Sequence, residues 1–295
     1  DFDGDGDTDY AAGNLGLNSR FHASAREPVR LYAADFDQNG SVDPVMSCFV
    51  EGESYAVAPR DQLIDQMIGM KGRFKRYADY ARATFLQTLS PEERRRAYVA
   101  EGVVLASSYV ENLGGGRFRL RPLPMPAQLS PVYGMLAGDR DGDGTPDLLL
   151  VGNSYATETQ VGWYDAAVGS VLLGDGRGGF RHRSGTATGF FVDGDAKALA
   201  EVATGASGSL LLVTQNGDSL KAFASTARAT RPALRLQPLD THALLTFRDG
   251  RTRREEFYYG STYLSQSSRY LRVPPGVARA VVYDSRGRSR SWQFQ

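Results

Sequence analysis

The stretch Asp139-Arg140-Asp141-Gly142-Asp143-Gly144-Thr145-Pro146-Asp147 places four aspartates within nine residues and runs straight into Leu148-Leu149-Leu150-Val151. Like charges at that density repel, so a folded chain that gathers them needs a reason to hold them together, a metal or a solvated acidic turn. Counting from Asp139, side-chain oxygens fall at positions 1, 3, 5 and 9, as Asp139, Asp141, Asp143 and Asp147. Gly144 permits a sharp turn, and the carbonyl of Thr145 at position 7 can point inward. The pattern recurs as Asp35, Asp37, Asn39, the Ser41 carbonyl and Asp43, and again as Asp1, Asp3, Asp5, the Asp7 carbonyl and Asp9. A donor set made only of oxygens, in that number, suits Ca²⁺ better than Mg²⁺. The expectation is structural Ca²⁺ at up to three sites. An EF-hand would carry a glutamate at position 12 between two helices; that position is Ala12, Met46 or Leu150, and an EF-hand is rejected.

The loops belong to a longer repeat. Pro28 to Ala34 and Pro131 to Ala137 lead into two of them, and an apolar strand follows each. Two Gly-rich stretches, SYVENLGGGRFRL and VLLGDGRGGFRHR, read as strand, hairpin turn and return strand, opening at Phe118 and Phe180. The first is assigned to the unit at 35 and the second to the unit at 139; the unit at Asp1 is read as shorter, with DYAAGNLGLN as its strand and turn. A fourth lead-in, GFFVDGDAKALAEV, keeps only Asp193 and Asp195, and is expected to be a degenerate repeat without metal. The SLLLVTQNGDSLKAF stretch after it reads as a hairpin around Asn216-Gly217.

Short strands at this spacing are the signature of propeller blades. The fold class expected is mainly β: a partial β-propeller with a helical insertion at about 60–100 and a small C-terminal β-module at 231–295, the blades occupying 1–230. In the insertion Phe74, Tyr77, Ala78, Ala81 and Phe85 fall at helical spacing, and Ser90-Pro91-Glu92-Glu93 has the form of a helix start. This insertion is expected on one edge of a blade, as a partner surface or a lid. Opening inside a motif with no Met, the chain reads as a segment of a longer protein.

The DxDxDGxxD loops feeding a strand, followed by a GDGxGxF-type turn, resemble the FG-GAP/VCBS repeats of integrin-like β-propellers over about residues 1–230. The tail, with Tyr263-Leu264-Ser265-Gln266-Ser267, resembles the ASPIC/UnbV module that follows such repeats. The resemblance implies a secreted or surface-attached protein of the kind common in Bacteroidota, in which Ca²⁺ rigidifies blade loops and is not credited with turnover.

Other motifs are weaker. Gly174-Asp175-Gly176-Arg177-Gly178-Gly179 matches GxGxxG but leads into a β-run, with no helix to receive a pyrophosphate, and reads as a hairpin turn. Asn39-Gly40-Ser41 is a glycosylation sequon on an assigned metal ligand, and is discounted. His22, His182 and His242 share no metal-ligand spacing, and HExxH and GxSxG are absent. Cys48 is the sole cysteine, in an apolar run, and reads as an inert thiol. Charges balance at 34 basic and 34 acidic, which gives no global field toward nucleic acid or membrane. No apolar run is long enough to span a bilayer. The tail concentrates arginine (231, 235, 248, 251, 253, 254, 269, 272, 279, 286, 288 and 290) against five acids, with Tyr258, Tyr259, Tyr263, Tyr270 and Trp292 among them. The expected arrangement is solvated arginines with the aromatics facing inward.

The function expected is a calcium-stabilised, non-catalytic extracellular binding or scaffold module that recognises a glycan or a partner protein. One alternative is a surface polysaccharide hydrolase or lyase component, which requires a titratable cluster away from the acidic loops. The other is a polyanion surface on the arginine-rich tail, for nucleic acid or acidic glycan, with nucleic acid the less expected partner.

Overall fold

The computed structural model describes residues 1–204, 208–224, 233–260 and 262–294. The chain is mainly β, built of several small antiparallel sheets, none of them closed. It divides into two compact units: Ser19–Leu105, and Asp1–Asn18 together with Ala106–Gln295. No helix among the described residues is long and apolar enough to cross a membrane.

In the larger unit the LLLV run shows how the sheets are layered. The strand Asp147–Gly152 is buried along its whole length, between strands Val132–Gly138 and Ser170–Gly174, with Phe180–Arg183 at the edge. Successive side chains of a strand point to opposite faces. Leu148 and Leu150 join Leu172, Phe2 and Tyr109 in one core, while Leu149 and Val151 join Val171, Leu199 and Val213 in another. The sheet is therefore covered on both faces, and a continuous apolar run is the pattern such burial requires. One cover is the sheet Tyr10–Ala12, Ser108–Asn112 and Phe118–Pro122; the other is Ala196–Thr204, Gly208–Gln215 and Lys221–Ala224.

This corrects the assignment of repeats. SYVENLGGGRFRL does not complete the unit at 35. Its strands pair with Tyr10–Ala12, so the unit at Asp1 is not short but interrupted, with 19–105 lying in the chain between its strands. The unit at 35 draws both edges from nearer sequence: Asp43–Val50 and Val29–Ala34 are flanked by Glu53–Ala56 and Tyr98–Gly102. Matching turn motifs shows which hairpins exist, but pairing is decided by which edges meet in space. The expected hairpins themselves form at Gly114–Gly116, at Gly176 and Gly178, and at Gly217, all with positive φ.

The helical segment also differs from its expected form. It is broken into Arg60–Gln66, Met70–Arg73, Tyr77–Arg82, Phe85–Thr88 and Pro91–Arg96. Helices this short are marginal alone, and packing decides their burial. Phe74 and Phe85 are buried with Leu63, Met67, Met70 and Val45, whereas Tyr77 is 65% exposed, so no continuous apolar face runs from 74 to 85. The segment connects the two outer strands of its sheet and packs over a face of that sheet through Val45, Tyr32 and Ala56, rather than extending an edge. The start at Ser90 is as expected: the Ser90 hydroxyl accepts from the Glu93 N–H, the Glu93 carboxylate accepts from the Ser90 N–H, and Pro91 opens the helix.

The C-terminal sheet, Thr252–Glu256, Asp240–Phe247, Val277–Asp284 and Ser289–Gln293, has a core of its own around Leu245, Phe247, Val277 and Val282. The boundary expected near 230 lies outside the described residues, as does Arg231. Contact with the rest of the larger unit is direct: the buried Arg253 donates to the carbonyl of Gly144 at 2.6 Å, and the Arg254 N–H donates to Asp1.

Candidate metal centres

Each acidic loop is built on one hydrogen-bond scaffold, used three times. The position-1 carboxylate accepts turn N–H groups: Asp1 from Gly4, Asp35 from Asn39 and Gly40, Asp139 from Gly142 and Gly144. Position 3 accepts from position 5, as Asp3 from Asp5, Asp37 from Asn39 and Asp141 from Asp143. Position 5 accepts from position 7, as Asp5 from Asp7, Asn39 from Ser41 and Asp143 from Thr145. Position 9 reaches back to position 2, with Asp9, Asp43 and Asp147 accepting from Phe2, Phe36 and Arg140 at 2.8, 2.9 and 2.6 Å. These short Asx bonds explain why aspartate and asparagine, not glutamate, occupy the loops.

The path of the chain requires a left-handed residue at positions 4 and 6. Position 6 is glycine throughout (Gly6, Gly40 and Gly144, φ 95°, 88° and 89°), while position 4 is Gly4, Gln38 and Gly142, with Gln38 held at φ 62°. A glutamine there bears a steric cost that its two counterparts avoid. Gln38→Gly is expected to stabilise the Ser19–Leu105 unit by up to about 1 kcal/mol, part of the relief being offset by the freer unfolded chain. Chemical denaturation of the two proteins measures it.

Carboxylate oxygens converge to within 4.8 Å in three groups: Asp1, Asp3 and Asp5; Asp35, Asp37 and Asp43; and Asp139, Asp141 and Asp147. Asp9 and Asp143, also expected as side-chain ligands, stand outside these groups. Both Asp9 oxygens accept backbone N–H, from Phe2 and from Asn112, and one Asp143 oxygen accepts from the N–H and hydroxyl of Thr145. Asp147 combines the two roles, bonding the N–H groups of Arg140 and Gly174 and thereby tying the loop to the neighbouring strand.

Among the described residues no side-chain cation is ion-paired with a converging carboxylate of the three loops. The degenerate loop is the contrast: Lys197 lies 2.6 Å from the buried Asp195, and Lys221 pairs with Asp193 and holds it below its ordinary pKa. Two of the chain's four lysines are placed there, Lys197 in AKALA and Lys221 in SLKAF. In the third full loop burial pushes Asp139 up, and pushes Asp147 up to about 6, with the neighbouring carboxylates adding repulsion. Asp3 is raised in the same way. The donor set, all hard oxygens and uncompensated in charge, fits Ca²⁺.

A pH effect follows from the raised acid. Asp147 titrates near 6 when folded against about 4 when unfolded, so the metal-free fold holds the proton more tightly. That contribution is present below about 4 and is lost as pH rises through about 6. Between pH 4 and 7 this group therefore lowers the melting temperature in EDTA, against a background of acids such as Glu201 and Asp193 whose lowered pKa acts the other way in either buffer. A bound cation favours the ionised acid, so millimolar CaCl₂ is expected to abolish that lowering; parallel melts across that range decide it.

The remaining candidates are dispersed. Gly174–Gly179 is a hairpin turn, with the Asp175 N–H donating to the Gly179 carbonyl. The His242 ring stacks on Tyr283 at 4.9 Å and bonds Thr241. Burial raises the Cys48 thiol. Among the tail arginines, Arg251, Arg253, Arg254, Arg288 and Arg290 pair with tail acids, and Arg272 with Glu201. The aromatics divide: Trp292 packs against the C-terminal core as expected, whereas Tyr258, Tyr259 and Tyr263 are all about half exposed or more. In comparisons with known proteins, no family model and no curated sequence matches the chain.

Proposed function

We propose that the chain is a non-catalytic, calcium-stabilised binding module of the FG-GAP/VCBS type, in which the stacked sheets are blades of a β-propeller and the tail is an ASPIC/UnbV-like module. The observation that carries this reading is the threefold hydrogen-bond scaffold around converging carboxylates that no side-chain cation among the described residues neutralises. Asp1, Asp3 and Asp5, then Asp35, Asp37 and Asp43, then Asp139, Asp141 and Asp147 would hold the ions, with Asn39 and the carbonyls of Asp7, Ser41 and Thr145 as further donors. The ion supplies positive charge that offsets the repulsion and fixes each turn. A place outside the cell is proposed with it, where calcium modules bind at about 0.1–1 mM.

The ligand proposed is a glycan, with a partner protein as the alternative. The hydrolase reading requires a titratable cluster away from the acidic loops, such as two carboxylates about 5–9.5 Å apart. A glycan array probed with the chain in CaCl₂ and in EDTA tests the module: binding in calcium that is lost on chelation is expected, and degradation of a bound polysaccharide would overturn the non-catalytic reading.

A further inference from the structure

A cleft of about 480 Å³ opens in the larger unit between residues 13–15, the start of the strand Val132–Gly138, and the segments carrying Tyr164 and Tyr263. Its volume is that of a small-ligand site. The walls are fixed. The Val132 N–H donates to the Asn14 carbonyl at 3.0 Å, and a Cβ on Gly13 would lie 2.4 Å from the Val132 carbonyl, so only glycine permits this approach. Ser154 and Tyr164 pair backbone to backbone across another wall. The Thr262 hydroxyl accepts from the Met135 N–H at 2.8 Å and anchors the Tyr263 turn to the cleft.

Two features of the cleft bear on a ligand. First, Tyr133, Tyr164 and Tyr263 all line it, and among the described residues none of their hydroxyls is hydrogen-bonded. The Tyr133 and Tyr263 rings pack together, their centroids 5.2 Å apart, which leaves their hydroxyls for a ligand. Second, the turn that presents Tyr263 holds Leu264 at φ 47° and leaves it 83% exposed. A bulky residue in the left-handed region is costly, and such strain gathers where a side chain must be displayed.

The chemistry of the walls selects the ligand. No acidic or basic side chain among the described residues lines the cleft. Lys197, whose ammonium lies 3.9 Å from the centre of the Tyr133 ring, is neutralised by Asp195. The surface thus offers aromatic rings, free hydroxyls on Tyr and Ser154, and no net charge. Tyrosine supplies an apolar body with a polar tip, which suits a ligand that is itself C–H on its faces and O–H at its rim. We infer that this cleft binds a neutral saccharide, one or two pyranose units of an uncharged glycan, with Tyr133, Tyr164 and Tyr263 as its contact residues. The inference rests on the glycan-binding reading above and gives it a site and a substrate class.

The test is calorimetric titration of the calcium-loaded chain with cellohexaose, mannohexaose, xylohexaose and galactohexaose, and with hexagalacturonate as the charged control. At least one neutral hexaose is expected to bind. Tyr164→Ala and Tyr263→Ala should each weaken it tenfold or more, Tyr263→Phe should weaken it less, and hexagalacturonate should bind at least tenfold more weakly than the best neutral sugar. Tyr263 is half exposed, so the melting temperature of its variants should hold and separate lost binding from lost folding. Unchanged affinity in both alanine variants would overturn the cleft while leaving the glycan-binding module standing. Preference for hexagalacturonate would overturn the neutral class. No binding of any hexaose to the unmodified chain would overturn the inference, and an array in which some other glycan binds would show that the module reading survives it.

Discussion

Removing calcium with EDTA is expected to lower the first melting transition by about 10 °C or more. One ion held at a hundredfold its dissociation constant contributes about 2.7 kcal/mol, the larger unit carries two of the loops, and each kcal/mol moves the melting temperature of a unit that size by about 2–4 °C. The carboxylates in question lie within 4.8 Å of one another. Without a cation each loop must protonate, open or tolerate the repulsion. Because two of the loops belong to one compact unit and the third to the other, chelation should destabilise both. Differential scanning calorimetry in EDTA, and after calcium is restored, reads the size and reversibility of the shift. Magnesium at equal concentration should restore less, since these turns present many flexible oxygens and Mg²⁺ demands a tight octahedron.

The second large effect is at Asp147. Its side chain is fully buried, and its two oxygens accept from Arg140 at 2.6 Å and Gly174 at 2.9 Å. Asp147→Ala leaves both N–H groups without their partner, at about 1–3 kcal/mol each, and also removes a carboxylate from the converging group. The expected loss is about 3–5 kcal/mol in calcium. Asp143→Asn is the matched control. Position 5 is already an amide in the loop at 35, where the Asn39 oxygen makes the bond to position 7 that Asp143 makes to Thr145. That variant should cost under about 1 kcal/mol. Equal effects would mean that charge count, rather than the scaffold, governs these loops.

What the sequence disclosed here was local. The loop spacing, the hairpins and the Ser90 helix start depend on bonds spanning a few residues, and all of these elements form where the residues place them. The LLLV run was legible as a strand, but not that Leu148 and Leu149 would serve different cores. Pairing of Tyr10–Ala12 with Ser108–Asn112 was not legible, because the partner lies beyond 19–105 and the turn at Gly114–Gly116 looks the same whichever sheet it closes. Helical spacing from Phe74 to Phe85 misled for the converse reason: the sequence has the period, but breaks between the short helices reset the faces, and tertiary contacts bury Phe74 and Phe85 while exposing Tyr77. The tyrosine cleft left no sequence trace, since Tyr133, Tyr164 and Tyr263 are scattered along the chain and meet only through the fold.

The central claim is that the acidic loops are calcium sites, and direct calcium titration of the metal-stripped chain tests it most closely. Calorimetry or equilibrium dialysis with ⁴⁵Ca should give three sites, and Asp3→Ala, Asp37→Ala and Asp141→Ala, one from each group, should each remove one. Absence of binding up to about 10 mM, beyond the range of weak extracellular sites, or a stoichiometry unmoved by all three substitutions, would contradict the account.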